Sequence, residues 1–214
     1  MNIVISGTSS GIGRATAERF LREGHRVYGY DLGKSAIAHP AYTHYVSDIR
    51  ADLPELPEAE ILINSAGTLE EADAIDVNLV GTIRFTEAFL PSEKLRSVLF
   101  IASASARNGA EFPLYVASKA GLVGYMKNLA LKLAKRGVTC NSISPGGVIT
   151  PANRHILEDA KLYRAVLNET LLGKWAEAEE IADFAYFLTV VNRSMTGEDL
   201  LIDNGEMLKS NFIW

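Results

Sequence analysis

Tyr115 and Lys119 sit four residues apart in the stretch "YVASK", and Ser103 closes an apolar run, "VLFIAS", some way upstream. A phenol is a poor proton carrier at neutral pH, because its reference pKa is ~10. On a helix, positions i and i+4 share a face, so the Lys119 ammonium lies near the Tyr115 hydroxyl and favours its ionised form. A pKa moved toward working pH is what general acid–base chemistry needs. Ser103 adds a hydrogen bond to an oxygen whose charge changes during reaction. Singly, each has a plainer reading: a half-buried aromatic with a solvated cation, and a turn serine at a strand end. Their convergence on one sheet edge favours the chemical reading.

A second cluster lies at the start of the chain. In "ISGTSSGIGRAT" the glycines Gly7, Gly11 and Gly13 follow the first strand and open the first helix. Glycine permits the tight turn and lets backbone N–H groups approach a pyrophosphate at the positive end of a helix. The spacing is G-x-x-x-G-x-G, so position in the chain carries as much weight as the letters. Asp31 closes the second strand where a carboxylate is expected to accept hydrogen bonds from ribose hydroxyls, and it would repel a 2′-phosphate. This favours NAD(H), and the nearby Lys34 keeps NADP(H) open as the alternative.

The elements that must position these groups are short apolar runs alternating with helical patterns. Residues 2–6, 26–31, 60–64, 97–103, 137–144 and 199–203 read as strands. "RATAERFLREG" places Ala17, Phe20 and Leu21 on one helical face and stops at Gly24. From Tyr115, the residues Leu122, Tyr125, Met126, Leu129 and Leu133 recur at helical spacing until Gly137. Strands that are apolar throughout must be covered on both faces. This predicts a single-domain α/β fold, a doubly wound parallel sheet of Rossmann type with helices on both sides. The strands exit into "SGTSSG", "DLG", "NSAG", "SASA" and "SPGGVIT", a small and polar edge suited to a long ligand crevice.

The bulk numbers fit one ordinary domain. The chain has 214 residues, 48% of them hydrophobic and 22% charged, with a formal net charge of -5. Scattered basic residues argue against nucleic acid. Cys140 is the single cysteine and the four histidines lack metal-ligand spacing, so no metal site and a reducing cytoplasm are expected. No stretch reads as a signal peptide or membrane span.

Taken together, these motifs resemble the short-chain dehydrogenases/reductases over nearly the whole chain. "SGTSSGIG" resembles the family's TGxxxGIG loop, with Ser6 for threonine. "NSAG" resembles NNAG, with Asn64 kept and Ser65 substituted. "SDI" around Asp48 resembles the adenine-side element, and "YVASKAG", "NSISPGGVIT" and "SMTGEDLLIDNG" resemble YxASKxG, NxxxPGxxxT and the final strand. The resemblance implies reversible hydride transfer between nicotinamide and a small-molecule alcohol or ketone, with Tyr115 as acid/base. Lys119 would lower the tyrosine pKa and hold the ribose, Ser103 would polarise the substrate oxygen, and Asn78 would support a water-linked proton relay. It also implies cofactor contacts from the loop residues Ser9, Ser10 and Ile12 beside the glycines, from Asp48 and Ile49, and from Asn64, Ala66 and Gly67. On the nicotinamide side it adds Pro145, Gly146, Val148 and Thr150. The family's pairing through the helices after Asn78 and Tyr115 implies a homodimer or homotetramer.

Three departures stand out. The two prolines of "RADLPELPEAE" predict a loop where a crossover helix is usual. The interval from Asn64 to Asn78 is short. Ser103 lies nearer Tyr115 than is common, leaving Ser105 as a competitor for its role. The segment 151–175 reads either as an amphipathic helix packed on the core or as a lid with an apolar face, which would suit a partly hydrophobic substrate. The terminal Phe212, Ile213 and Trp214 are expected to dock on this subunit or a neighbour. The competing function is a non-catalytic dinucleotide-binding sensor or interaction protein on the same fold, which would have no use for Ser103, Tyr115 and Lys119 together. An epimerase or dehydratase using transient oxidation is a third reading.

Overall fold

A computed structural model describes residues 1–208; the expectation for Phe212, Ile213 and Trp214 lies outside them. Seven parallel strands form one sheet, β1 (Asn2–Ser6), β2 (Arg26–Asp31), β3 (Tyr42–Val46), β4 (Ile61–Asn64), β5 (Ser97–Ile101), β6 (Thr139–Pro145) and, after a short pair treated below, β9 (Asp199–Ile202). Their order across the sheet is β3-β2-β1-β4-β5-β6-β9. The chain therefore winds outward from β1 to β3, returns to pair β4 with β1, and winds the other way. The reversal between β1 and β4 is the place where such sheets open a crevice beyond the carboxyl ends of the strands.

Alternate residues of each strand face opposite sides, and both sides are apolar. Ile3, Ile5, Ile61, Ile63 and Leu99 point to a layer that includes Phe20 and Leu21 of α1 (Gly11–Arg22) and Ile181 and Ala185 of α7 (Ala178–Tyr186). Val4, Leu62, Val98 and Phe100 point to the other, where Phe85 and Phe89 of α2 (Thr82–Phe89) meet Leu122, Met126 and Leu129 of α4 (Pro113–Leu133). α4 begins at Pro113, whose missing N–H costs nothing in a first turn, and it runs through a tight turn into Gly137 at φ 67°.

β3 was not expected as a strand. The segment 47–60 between β3 and β4 contains no helix, as the prolines predicted. α2 is preceded by a turn-widened π-helical stretch, Ile75–Gly81, which carries Asn78. A short α3 (Ser105–Asn108) follows β5. Segment 151–175 is an excursion closed at its base by a two-stranded parallel ladder, β7 (Val148–Ile149) against β8 (Ala176–Glu177). It contains α5 (Arg154–Leu157) and α6 (Ala160–Leu167), the latter capped by Asp159, whose Oδ1 accepts from the Lys161 and Leu162 N–H groups at 2.9 and 3.0 Å. No residue of α6 is buried, so it is not a core helix.

Candidate active site

A cavity of about 770 Å³ runs along the carboxyl edge of the sheet, from Asp31 and Asp48 past the α1 N-terminus to Tyr115 and Trp175. Every expected cofactor residue lines it except Ser9 and Asn64. Ser9 instead fastens the loops: its N–H donates to Asp31 Oδ2 at 2.9 Å and its hydroxyl donates to the Gly33 carbonyl at 3.0 Å. Asn64 is buried behind the crevice, where its amide donates to the Leu99 carbonyl at 3.4 Å and accepts from Thr86 Oγ1 at 3.2 Å. Asn64 thus lies behind the lining surface and Ser9 is half-buried beside it, and both side chains brace the loops around the crevice.

The dinucleotide end follows from close packing. Gly7 has φ 81°, and a Cβ on it would sit 2.7 Å from the Ala66 nitrogen; a Cβ on Gly13 would collide with the Gly7 carbonyl. Ser6 Oγ accepts from the Ser65 and Ala66 N–H groups, each at 3.1 Å, which shows why a hydroxyl residue serves at this position. The first turn of α1 contains no acidic residue, and Ser10 provides no side-chain cap. Its free N–H groups therefore face the crevice with the positive helix end intact, a cradle that fits a pyrophosphate.

At the ribose end the Asp31 carboxylate accepts from Ser9 at Oδ2 and from the Gly33 N–H at Oδ1, 2.8 Å, and each oxygen retains a further lone pair. Lys34 is exposed and does not line the cavity. Sequence reasoning missed the support of this turn: His44 Nε2 donates to the Gly33 carbonyl at 2.8 Å, leaving Nδ1 to accept from the Tyr42 hydroxyl at 2.8 Å. Asp48 forms a two-pronged pair with Arg50, whose guanidinium holds the carboxyl below its usual range. Ile49 is buried beside it.

At the chemical end Ser103, Tyr115 and Lys119 converge, all buried. Lys119 Nζ donates to the Ile101 carbonyl at 2.9 Å and lies 5.7 Å from the Tyr115 ring centroid. Asn78 stands behind the wall: its Oδ1 accepts from the Thr68 N–H at 2.7 Å, and its amide donates to the Thr68 carbonyl at 3.0 Å and to Ser118 Oγ at 3.2 Å. This clasp folds the short 64–78 interval against α4, with Asn78 and Lys119 both abutting Gly67.

One expectation is corrected. Lys119 is not among the groups that lower the Tyr115 pKa. Burial first, and then the Glu111 charge, push the phenol up to about 12, with only Ser103 opposing. Burial also pushes Lys119 down to about 8, so the ammonium is itself strained for want of solvent. Glu111, Glu169, Trp175 and Glu206 line the same cavity and were not foreseen.

A family model described as enoyl-(acyl carrier protein) reductase matches residues 59–206. The chain belongs to the short-chain dehydrogenase/reductase family. It is 29% identical to a 3-oxoacyl-[acyl-carrier-protein] reductase of Salmonella typhimurium, covering 94% of this chain and 95% of that one. The ligand-free aldohexose dehydrogenase of Thermoplasma acidophilum superposes with a TM-score of 0.90 at 26% identity, covering 100% and 96% of the two chains. A 4-hydroxyisoleucine dehydrogenase mutant complexed with NADH and succinate gives 0.85 at 26%, covering 99% and 100%. A 2-deoxy-d-gluconate 3-dehydrogenase from Agrobacterium tumefaciens with bound NADP shares the fold, with a TM-score of 0.87 at 24% identity over 97% and 96%. Short-chain dehydrogenases/reductases are oxidoreductases, and solved structures of this fold hold NADH in one case and NADP in another. Among the described residues no helix is long and apolar enough to cross a membrane.

Proposed function

We propose that this protein is an NAD-preferring dehydrogenase/reductase that interconverts a small-molecule alcohol and ketone, with Tyr115 as the proton carrier. The observation that supports this most is the burial of Ser103, Tyr115 and Lys119 at one end of a crevice whose other end offers a glycine cradle and Asp31. A bound nicotinamide supplies the hydride donor or acceptor. The chain supplies the rest.

In the reducing direction a neutral Tyr115 hydroxyl donates its proton to the oxygen that gains charge, and Ser103 donates a hydrogen bond to the same oxygen. In the oxidising direction the phenolate takes the hydroxyl proton. With Tyr115 held up to about 12, the resting protein carries the acid and is set for reduction at neutral pH. Lys119 and Asn78 meet at Gly67, so Asn78 serves to hold the wall against which the lysine is packed. Asp31 supports NAD over NADP, because its charge faces the place of a 2′-phosphate. Segment 151–175, tied at β7 and β8, through the Leu171 and Leu172 N–H groups to the Asn204 carbonyl and through Lys174 to Glu180, with α6 unburied between these ties, has the attachment expected of a lid.

The test is hydride exchange with a panel of alcohols and ketones and both cofactors, alongside fluorescence titration of NADH and NADPH. We expect tighter NADH binding, and a Tyr115→Phe protein that binds NADH but turns over at least about a hundredfold more slowly. Tight NADH binding with no Tyr115-dependent turnover across the panel would instead support a sensor.

A further inference from the structure

Beyond Tyr115 the crevice ends in a wall that no motif singles out. β6 runs into Gly146 and Gly147, and two side chains close on this doublet. A Cβ on Gly146 would lie 2.8 Å from Glu206 Oε2, and one on Gly147 would overlap Nε1 and the pyrrole edge of Trp175. Missing side chains at 146 and 147 thus bring a carboxylate and an indole N–H to the same turn.

Trp175 is 7% exposed, and its indole N–H has no hydrogen-bond partner among the described residues. Trp175 lines the crevice, and its Nε1 is not among the fully enclosed unpaired atoms of the described residues, so the donor is left to water or to a ligand. Buried donors of this kind ordinarily find a partner. Around it Glu111, Glu169 and Glu206 line the same cavity, and the only cations along the lining are Lys119, which is hydrogen-bonded to Ile101, and Arg50, paired to Asp48 at the far end. Glu206 faces the Gly147 N–H, and Glu111 faces the Ser105 hydroxyl beside Ser103. Desolvation raises the pKa of both, joined at Glu111 by the charge of Glu206 and at Glu206 by the charges of Asp203 and Glu169.

We propose that this end of the crevice is a subsite for a hydroxyl-rich substrate of the sugar or polyol class, whose hydroxyls donate to Glu111, Glu169 and Glu206 while one of them accepts from the Trp175 indole N–H. The inference rests on the oxidoreductase reading above. Other substrate classes leave something unmet. An ammonium serves the carboxylates but not the indole. A carboxylate serves the indole but meets three like charges. An apolar chain leaves the indole N–H without a partner and takes water from the carboxylates. A hydroxyl both donates and accepts, so an array of hydroxyls satisfies the whole wall. This subsite takes a polar substrate where the apolar face of segment 151–175 suggested a partly hydrophobic one.

The experiment is a steady-state comparison, with NAD+ and NADP+, of aldopentoses, aldohexoses and four- to six-carbon alditols against aldonates and monohydric alcohols of matched length. The wild type, Glu206→Gln and Trp175→Phe proteins are compared, and thermal melts verify folding. The best polyol is expected to exceed every aldonate and monohydric alcohol by at least about tenfold in kcat/KM, and each variant to lower that value about tenfold or more, chiefly through KM. Preference for aldonates or monohydric alcohols, with Tyr115-dependent turnover intact, overturns the subsite and leaves the oxidoreductase reading standing. So does a polyol preference that neither variant alters. Absence of Tyr115-dependent turnover with every compound overturns the oxidoreductase reading, and the subsite with it.

Discussion

Ser103 Oγ and Ser105 Oγ lie 2.8 Å apart, and the Ser105 N–H also donates to Ser103 Oγ at 3.2 Å. Both line the crevice, but Tyr115 faces Ser103 whereas Ser105 faces Glu111. In the proposed mechanism Ser103 is therefore the residue that shares the substrate oxygen with Tyr115, while Ser105 holds its hydroxyl in place. Ser103→Ala is expected to lower kcat about a hundredfold or more, in line with loss of one preorganised donor. Ser105→Ala is expected to cost about tenfold or less, with kcat and KM measured for both. The reverse order would assign the substrate-facing role to Ser105.

Lys119 is 6% exposed, and its pKa in the folded protein falls to about 8 from the 10.5 of a free lysine. Between those values the unfolded chain binds a proton that the native protein has lost, so native stability rises with pH across that window. The gain is up to about 3 kcal/mol, taking 1.36 kcal/mol per unit. Urea unfolding of wild type and Lys119→Met from pH 7 to 10 should show this slope in the wild type and its loss in the variant. Parallel pH dependences would mean that Lys119 keeps an ordinary pKa.

The sheet was legible because β1, β2, β4 and β5 are apolar on both faces and end abruptly in Gly, Asp, Asn or Ser. β3 was not, since Thr43, His44 and Tyr45 form an edge with one side half open to water, and edge burial leaves no period in the sequence. The π-helical turn at Ile75–Gly81 shifts the helical period just where Asn78 needs to be placed. In the candidate site, the grouping of Tyr115, Lys119 and Ser103 was legible because two share a helix face and the third follows a strand. Glu111, Trp175 and Glu206 meet only through tertiary folding, and the signal that could have found them is the Gly146–Gly147 doublet, which marks close approach by something. The sign of the Tyr115 shift was misread for a related reason: spacing reports a nearby cation, but not the burial and the Glu111 charge that outweigh it.

Glu111 acts on the phenol from outside the motif. Its charge raises the Tyr115 pKa, so removing that charge lowers it. In the proposed mechanism alcohol oxidation requires the phenolate, and its rate climbs as pH approaches the Tyr115 pKa. In Glu111→Gln the rising limb of the kcat profile is therefore expected at lower pH than in the wild type, measured under saturating alcohol and cofactor. An unmoved limb, with the variant folded, would show that Glu111 does not set the proton affinity of Tyr115.

Asp31 connects two loops and, in the proposed preference for NAD, carries the charge that separates the two dinucleotides. With its oxygens holding the Ser9 and Gly33 N–H groups, an asparagine can keep one of these bonds but not both, and it removes the repulsion toward a 2′-phosphate. Asp31→Asn is expected to weaken NADH binding several-fold and to strengthen NADPH relative to NADH by about tenfold, a change of roughly 1.4 kcal/mol in the difference between them. Fluorescence titration with both reduced cofactors reads the ratio directly. If NADPH gains nothing, then the carboxylate serves only as a tie between the loops, and the discrimination must come from Leu32 or Arg50, which line the same end of the crevice.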